Sequence, residues 1–337
     1  MSRDLDRISR TITPKRNGQV YSVKAETLGR RSFLGQVSRG AFALAAGGLC
    51  LGAAPAAALA NPIGYATISW PRSQFTHALD TIASLGFEGV QLLGWVRDDY
   101  SGGKFSELKD RLSGLRLSPV ALSCWGVKLD PAQVTDQSAK IPDFAEFQSG
   151  LGGLYLQVTD DGRPAGQYSP TQIKALGEQM NALGKLARDS GVTLGYHPHF
   201  NSLGETREGM ARILNATDPR YVKLIADVGH IFLGGSDPAE VIRTYHERLI
   251  MMHFKDVRKD IAALAEKDRG LVRKGQYAFC EIGEGAVNFP AVLQALRDVQ
   301  FSSWIVIELD NFEPPPAGTK RTSRNSDSAS LGDLAIG

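Results

Sequence analysis

Cysteine is scarce in this sequence, with three residues in a chain of 337. So few thiols cannot staple a small fold together, which excludes the class of disulfide-rich miniproteins. An excess of one charge is also lacking, since 38 Lys and Arg stand against 36 Asp and Glu. Hydrophobic residues make up 42% of the chain, and such a composition is not that of a disordered protein. The length allows one large domain or two ordinary ones.

The net charge of +2 hides an uneven distribution. The first 60 residues carry nine Lys or Arg and three Asp or Glu, which leaves 29 basic and 33 acidic residues from Asn61 onward. This larger part is slightly acidic, so it lacks the basic field that holds a nucleic-acid backbone. The sequence therefore predicts no nucleic-acid partner.

The first 60 residues have the features of a bacterial twin-arginine signal peptide. The run Arg30-Arg31-Ser32-Phe33-Leu34 is followed by an Ala- and Gly-rich stretch, and Ala58-Leu59-Ala60 has the small-x-small pattern of a cleavage site. We predict passage through the twin-arginine translocase, cleavage before Asn61 and a periplasmic location. Retention as a membrane anchor is the alternative, but Pro55 and the mild hydropathy disfavour it, so we expect no stable span after cleavage.

From Asn61 onward, short apolar runs alternate with longer stretches of helical periodicity. The predicted strands are Ile63–Ser69, Gly89–Leu93, Pro119–Cys124, Leu154–Val158, Thr193–Tyr196, Val222–Asp227, Ile250–Lys255 and Trp304–Leu309. The clearest predicted helices are Ser73–Leu85, Thr171–Ser190, Thr206–Leu214, Pro238–Tyr245 and Phe289–Val299. Eight such units in about 250 residues predict an α/β fold of the (β/α)8 class, a TIM barrel. An open doubly wound sheet would also alternate, but no G-x-G-x-x-G follows the first strand.

Two segments interrupt the alternation. Arg258–Gln276 is a charged insertion, for which we predict a loop or short lid near the mouth of the barrel. Residues 313–337 contain three consecutive Pro and many polar residues, which predicts a C-terminal tail and a weak or missing eighth helix. The predicted organisation is a signal peptide over 1–60, a barrel over 61–312 and a tail over 313–337.

Four predicted strands end in metal-binding types of residue. A TIM barrel places its active site at the carboxyl ends of its strands, so these residues are expected to meet at one mouth. A lone His at a strand end is more often an ordinary polar residue, but His, Asp and Glu together favour a divalent metal site. The four segments are Tyr196-His197-Pro198-His199, Asp227-Val228-Gly229-His230, His253-Phe254-Lys255-Asp256 and Ile307-Glu308-Leu309-Asp310.

Together with Phe87-Glu88-Gly89-Val90-Gln91-Leu92 and Gly283-Glu284-Gly285-Ala286-Val287-Asn288-Phe289-Pro290, these segments resemble the sugar phosphate isomerase/epimerase superfamily, the group with the xylose isomerase-like TIM barrel. The Tyr-His-x-His and Asp-x-Gly-His segments are most similar to its inosose dehydratase branch. The resemblance implies one divalent ion, Mn²⁺, Co²⁺, Mg²⁺ or Zn²⁺, held by four side chains. It also implies that this ion polarises a substrate ketone, so that a base can remove the neighbouring proton through an enediolate. Carried over by position, the ligands are His197, Asp227, His253 and Glu308.

Two positions depart from the pattern of the family. His197 stands where many epimerases have a Glu on strand five, which removes one base of a two-base mechanism. This favours a dehydratase or a one-sided isomerase. Gln91 stands where Glu is common on strand two, which removes a potential acid and fits a changed substrate.

The predicted catalytic residues are Glu308, His199, Lys255 and His230, and the predicted substrate-binding residues are Trp125, Gln157 and Glu205. Alternatives stay open for several of them. His199 could replace His197 as the ligand, His230 could cap a loop, and Lys255 could pair with Asp256. Glu205 could only begin a helix that Thr206 caps. Packing at the barrel rim is the alternative for Trp125.

We therefore predict an exported, metal-dependent isomerase, epimerase or dehydratase that acts on a sugar, keto-sugar or cyclitol. A periplasmic location disfavours phosphorylated substrates. A non-catalytic carbohydrate-binding barrel is the alternative, and it would bind metal without exchanging substrate protons. A phosphodiesterase similar to endonuclease IV would need more ligands for a multi-metal cluster. The sequence predicts no particular oligomeric state.

Overall fold

The computed structural model describes residues 60–160, 169–272 and 278–310, and a separate antiparallel pair, Lys15–Arg16 with Gln19–Val20. The compact unit that contains the barrel spans Leu59–Phe312. Apart from that pair and residue 60, the predicted signal peptide lies outside the described residues. So do the predicted tail and any eighth helix, which all stay predictions. No helix within the described ranges has the length and hydropathy that a bilayer crossing requires.

Eight parallel strands form a closed barrel in chain order, which confirms the predicted (β/α)8 fold. The eighth strand closes the ring, because it pairs in parallel with the seventh strand and with the first, where Ile305 lies opposite Ile63. The strands are β1 (Ile63–Ala66), β2 (Gly89–Leu93), β3 (Ser118–Val127), β4 (Tyr155–Asp160), β5 (Thr193–Tyr196), β6 (Val222–Asp227), β7 (Leu249–Phe254) and β8 (Trp304–Ile307).

Helices connect the strands, and several of them begin at clear sequence signals. Ser169 and Gln172 form a capping box with Pro170 at the first helical position, and Asn288 caps the last described helix. The helices are α1 (Phe75–Ser84), α2 (Trp95–Asp99), α3 (Phe105–Leu115), α4 (Pro131–Gly150), α5 (Pro170–Asp189), α6 (Arg207–Ala216), α7 (Val228–Leu233), α8 (Pro238–Tyr245), α9 (Lys259–Lys267), α10 (Arg269–Val272) and α11 (Phe289–Asp298).

Small and branched apolar side chains pack together on the strands of the barrel. Each fully buried aliphatic side chain among them contributes about 1.5–3 kcal/mol relative to exposure. Gly89 makes room for this packing, since a Cβ there would lie 2.5 Å from the ring of Trp304. The buried members of this cluster are Ala66, Val120, Ala121, Ile225, Met251 and Val306.

The charged insertion Arg258–Gln276 is more regular than predicted. It forms α9 and α10 over most of its described length, because the apolar run from Ile261 to Ala265 is compatible with a helix. Residues 273–277 lie outside the description. A short antiparallel pairing of Asp256–Val257 with Phe279–Cys280 joins the two ends of the insertion.

Candidate metal-binding active site

The four predicted ligands lie at the carboxyl ends of four consecutive strands. His197 follows β5, and its backbone N–H donates to the carbonyl of Val158 at 2.8 Å. Asp227 ends β6, His253 lies in β7, and Glu308 follows β8. All four side chains are buried, with at most 6% of their surface exposed.

These side chains form two overlapping groups of three. Asp227, His253 and Glu308 each offer a ligand atom within 4.8 Å of the others, and so do His197, Asp227 and His230. Asp227 belongs to both groups, and the ring centroids of His197 and His253 are 4.9 Å apart. The structure therefore brings the four residues to one place, although they do not form a single group at that spacing.

The hydrogen bonds of His253 show that these residues fit a metal ion. Its Nε2 lies 2.6 Å from Gln91 Oε1, which can only accept, so Nε2 carries the ring proton and Nδ1 has a lone pair. Nδ1 lies 3.3 Å from Glu308 Oε2 and 3.6 Å from Asp227 Oδ2. A lone pair that faces two carboxylate oxygens is repulsive unless a metal ion or a second ring proton lies between them. Nδ1 of His253, Nδ1 of His197 and Oδ2 of Asp227 are all buried without a hydrogen-bond partner.

Lys255 supplies one positive charge to this cluster. Its fully buried Nζ lies 2.7 Å from Glu308 Oε1, 3.1 Å from Asp310 Oδ2 and 3.3 Å from Asp227 Oδ2. Burial alone would lower the pKa of Lys255, but the nearby carboxylates outweigh burial and raise it. Three carboxyl groups therefore surround one ammonium group, and the remaining negative charge suits a divalent cation.

The alternative pair of Lys255 with Asp256 is not what the structure shows. The Asp256 carboxylate accepts backbone N–H groups at 2.8–3.0 Å, which ties down the loop that follows Phe279. A Cβ on Gly285 would lie 2.2 Å from Asp256 Oδ1, so only glycine permits this approach. The donors are the N–H groups of Val257, Gly283, Gly285 and Val287.

The pKa shifts of the cluster favour metal-binding protonation states. Burial alone would raise the pKa of Glu308, but the charge of a protonated His253 and that of Lys255 outweigh burial and lower the pKa to about 2. Burial would likewise raise the pKa of Asp227, whereas Lys255 holds it well below its usual range. Burial lowers the pKa of His197 to about 3, so its ring is neutral and offers a lone pair.

His199 and His230 lie in contact beside the cluster, with ring centroids 3.8 Å apart and ring planes tilted by 41°. His199 Nδ1 lies 2.6 Å from the carbonyl of Phe200, so Nδ1 carries the proton and Nε2 is the accepting nitrogen. His230 Nε2 lies 3.0 Å from Lys255 Nζ, which only donates, so the proton of the neutral ring is on Nδ1. That Nδ1 is buried without a partner. The pair thus offers one proton acceptor and one hydrogen-bond donor.

The predicted substrate-binding residues have different surroundings. Gln157 lies on β4, where its amide accepts from Gln91 and donates to the hydroxyl of Ser123. Glu205 is buried, and its Oε2 accepts the backbone N–H of Asn201 at 2.7 Å. Their contact with a substrate stays a prediction.

Trp125 packs on Phe144 of α4, with ring centroids 4.8 Å apart. It lines a surface cleft of about 280 Å³ together with Lys128, which follows β3, and with Gln137 and other residues of α4. None of the residues that line this cleft belongs to the metal-type cluster. The arrangement is that of rim packing, and substrate contact by Trp125 stays a prediction.

Sequence analysis missed three contributors to the site. Gln91 was interpreted as a lost acid, yet it binds His253. Phe279 covers the cluster, with its ring centroid 4.7 Å from Lys255 Nζ and 5.1 Å from that of His230. Asp160 ends β4 and fixes the segment after His199, and its position at a strand end was the signal that could have found it. Its carboxylate accepts from Tyr196, Ser202, Leu203 and Gly204.

Comparisons with known proteins agree with this fold. The model of the xylose isomerase-like TIM barrel family matches residues 79–328. An inosose dehydratase from Bacillus velezensis is 27% identical over 263 residues, which cover 74% of this chain and 87% of that protein.

Two solved structures share the fold. The probable 3-DHS dehydratase AsbF of Bacillus anthracis, involved in petrobactin synthesis, is 17% identical with a TM-score of 0.65, covering 74% of this chain and 93% of its own. The IOLI protein with a binding zinc atom is 17% identical with a TM-score of 0.62, covering 74% of this chain and 88% of its own. At these identities, the two structures establish the architecture alone.

Proposed function

Because the chain belongs to the xylose isomerase-like TIM barrel family, we propose that it is a metal-dependent dehydratase of a keto-polyol, of the inosose class. The observation that carries this proposal is the accepting nitrogen His199 Nε2, on a ring that is not one of the four proposed ligands and that lies beside a buried cluster of His, Asp and Glu. A two-base epimerase needs a second base on strand five, where this chain has the neutral His197. A curated relative carries the name inosose dehydratase, which supports the same choice.

The residues that would hold the divalent ion are His197, Asp227, His253 and Glu308. When bound, this ion supplies positive charge that polarises a substrate carbonyl and its neighbouring hydroxyl group.

The chain's own residues then move one proton. His199 Nε2 accepts the proton of the carbon next to the ketone, and it returns that proton to the hydroxyl group on the following carbon. One C–H and one C–O bond break, a carbon–carbon double bond forms, and water leaves, so the step balances without another reactant. The Nδ1–H of His230 donates to a substrate oxygen. Lys255 keeps the ring proton on Nδ1, because its ammonium group donates to the other nitrogen, Nε2.

Water loss and proton exchange test this proposal together. The purified protein is loaded separately with Zn²⁺, Mn²⁺, Co²⁺ or Mg²⁺ and incubated in D₂O with inososes, ketoses and 3-dehydroshikimate. We expect a product lighter by one water, seen by mass spectrometry, from an inosose. Deuterium uptake without water loss would point to an isomerase or epimerase instead. Metal binding without either change would favour the non-catalytic carbohydrate-binding barrel.

A further inference from the structure

A chain of three polar side chains crosses the barrel and ends on His253. We call Ser123, Gln157 and Gln91 the amide relay. The amide of Gln157 donates to Ser123 Oγ at 3.2 Å, and the amide of Gln91 donates to Gln157 Oε1 at 3.1 Å. Gln91 Oε1 then accepts from His253 Nε2 at 2.6 Å. Both amides are buried, with 1% and 5% exposed for Gln91 and Gln157.

We propose that the amide relay sets the tautomer of His253, and that Gln91 is the positioning residue that keeps Nδ1 free to bind the metal ion. This inference rests on the proposed metal site. It assigns a positive function to Gln91, which the sequence alone marked only as the loss of a potential acid on strand two.

The direction of the hydrogen bonds carries the argument. Every amide has one donating and one accepting end, so the relay donates in a single direction, from His253 toward Ser123. If both amides turned around, the hydroxyl of Ser123 could donate to Gln157 and the relay would run the other way. Gln91 would then donate to His253 Nε2, and the ring proton would move to Nδ1. A protonated Nδ1 cannot bind a metal ion, so the observed direction is the one that suits binding.

Burial makes the two amides act as a unit. An unsatisfied buried amide costs roughly 1–3 kcal/mol, so neither can turn without the other. Glutamine also provides the accepting oxygen without a further negative charge. Glutamate at position 91 would add a carboxylate next to His253, whose Nδ1 already lies near Asp227 and Glu308.

Substitution of Gln91 tests the relay with two measurements that do not depend on turnover. The first is the tautomer of His253 in metal-free protein labelled with ¹⁵N-histidine, which has only six histidines. The second is Zn²⁺ affinity, measured by competition with a chromophoric chelator. We expect Gln91→Leu to remove the preference for a proton on Nε2 and to weaken Zn²⁺ binding about 10–100-fold. Gln91→Glu keeps an acceptor and should retain the wild-type tautomer.

Gln148→Leu is the matched control. Gln148 is also a buried glutamine, but its amide donates to the carbonyl of Pro119 outside the relay. This variant should bind Zn²⁺ like the wild type, so a loss confined to Gln91→Leu is specific.

Two results would overturn the proposal: unchanged tautomer and affinity in Gln91→Leu, or a proton on Nδ1 of His253 in the metal-free wild type. The second result needs no variant, so the proposal stays testable if Gln91→Leu fails to fold. A wild type that binds no Zn²⁺, but whose His253 tautomer follows residue 91, would support the relay and remove the proposed metal function.

Discussion

Three histidines of the site have partners that determine which ring nitrogen carries the proton. A carbonyl oxygen fixes His199, an ammonium group fixes His230, and an amide oxygen fixes His253. Neutral imidazole presents one donor and one acceptor, so each partner also decides what the other nitrogen can do. These partners thereby assign three different proposed roles to chemically identical side chains: proton acceptor, hydrogen-bond donor and metal ligand.

The role of His199 as the proton acceptor predicts a selective loss of turnover. His199→Gln should reduce α-proton exchange about 10²–10⁴-fold, the range that general bases contribute. Its Zn²⁺ affinity should stay within a few-fold of wild type, because His197 is the proposed ligand. Exchange is measured in D₂O by NMR, with the exposed His77 on α1 as the site of a control, His77→Gln. Loss of zinc together with exchange would identify His199 as the ligand instead.

The low pKa of Glu308 predicts an acid-dependent loss of stability. Its pKa is about 2 in the folded chain against an ordinary 4.5, so its ionised form stabilises the fold fully above pH 4.5. This contribution, roughly 3 kcal/mol, disappears as the pH falls toward 2. Denaturant unfolding of metal-free Glu308→Gln should therefore depend less on pH across this interval than that of the wild type. Glu107→Gln, on the exposed side of α3, should follow the wild-type curve, and equal slopes for all three proteins would contradict the prediction.

At the scale of elements, the carboxylate of Asp256 holds the loop over residues 281–287. Asp256→Asn replaces one accepting oxygen by a donating NH₂ group, and an NH₂ group in the place of Oδ2 can accept from neither Gly283 nor Gly285. We expect faster hydrogen exchange of those two backbone amides and a higher KM, because Phe279 is anchored at the start of this loop. The cost in stability should be about 1–3 kcal/mol.

Asp260→Asn is the control for this experiment, since Asp260 is exposed on α9 and pairs with Arg258. Unchanged exchange at Gly283 and Gly285 in Asp256→Asn would show that the loop is held by other contacts.

The strands could be predicted from sequence because each is a short apolar run, and because His, Asp or Glu stands at the carboxyl ends of the last four. All eight lie where predicted, within a few residues. Helix α4 was missed because its apolar residues do not recur at helical spacing and Pro142 interrupts it. The start of α4 could have been predicted from the pair Asp130-Pro131, because Asp is a common helix cap and Pro a common first residue. In the structure, Asp130 accepts the N–H of Ala132. Helix α7 was missed because it begins directly after β6 without a connecting loop.

The residue types of the site were predictable, but their partners were not. Strand ends converge in a barrel, so His197, Asp227, His253 and Glu308 were expected to meet. The contact between His253 and Gln91 joins residues 162 positions apart in the chain, so no local sequence pattern predicts it. Side-chain direction within a strand depends on register and bulges, such as the shift between Val90 and Gln91.

At the scale of the whole molecule, the predicted export signal can be tested by finding where in the cell the protein is located. Arg30→Lys with Arg31→Lys should leave the protein in the cytoplasm at full length, because the translocase recognises the arginine pair. The wild type should appear in the periplasm with Asn61 as its first residue. Cell fractionation with N-terminal sequencing distinguishes the two outcomes, and Arg39→Lys is the control outside the pair. Equal distribution of all three proteins would refute the signal.

The closure of the barrel by β8 has a consequence for synthesis. Glu308 follows the last of the eight strands, and that strand must settle between β7 and β1 before its carboxylate can approach His253. A growing polypeptide on the ribosome therefore lacks the complete set of proposed ligands until nearly the entire ring has been translated. If the proposed site binds its ion through all four side chains, that binding is a late event in maturation.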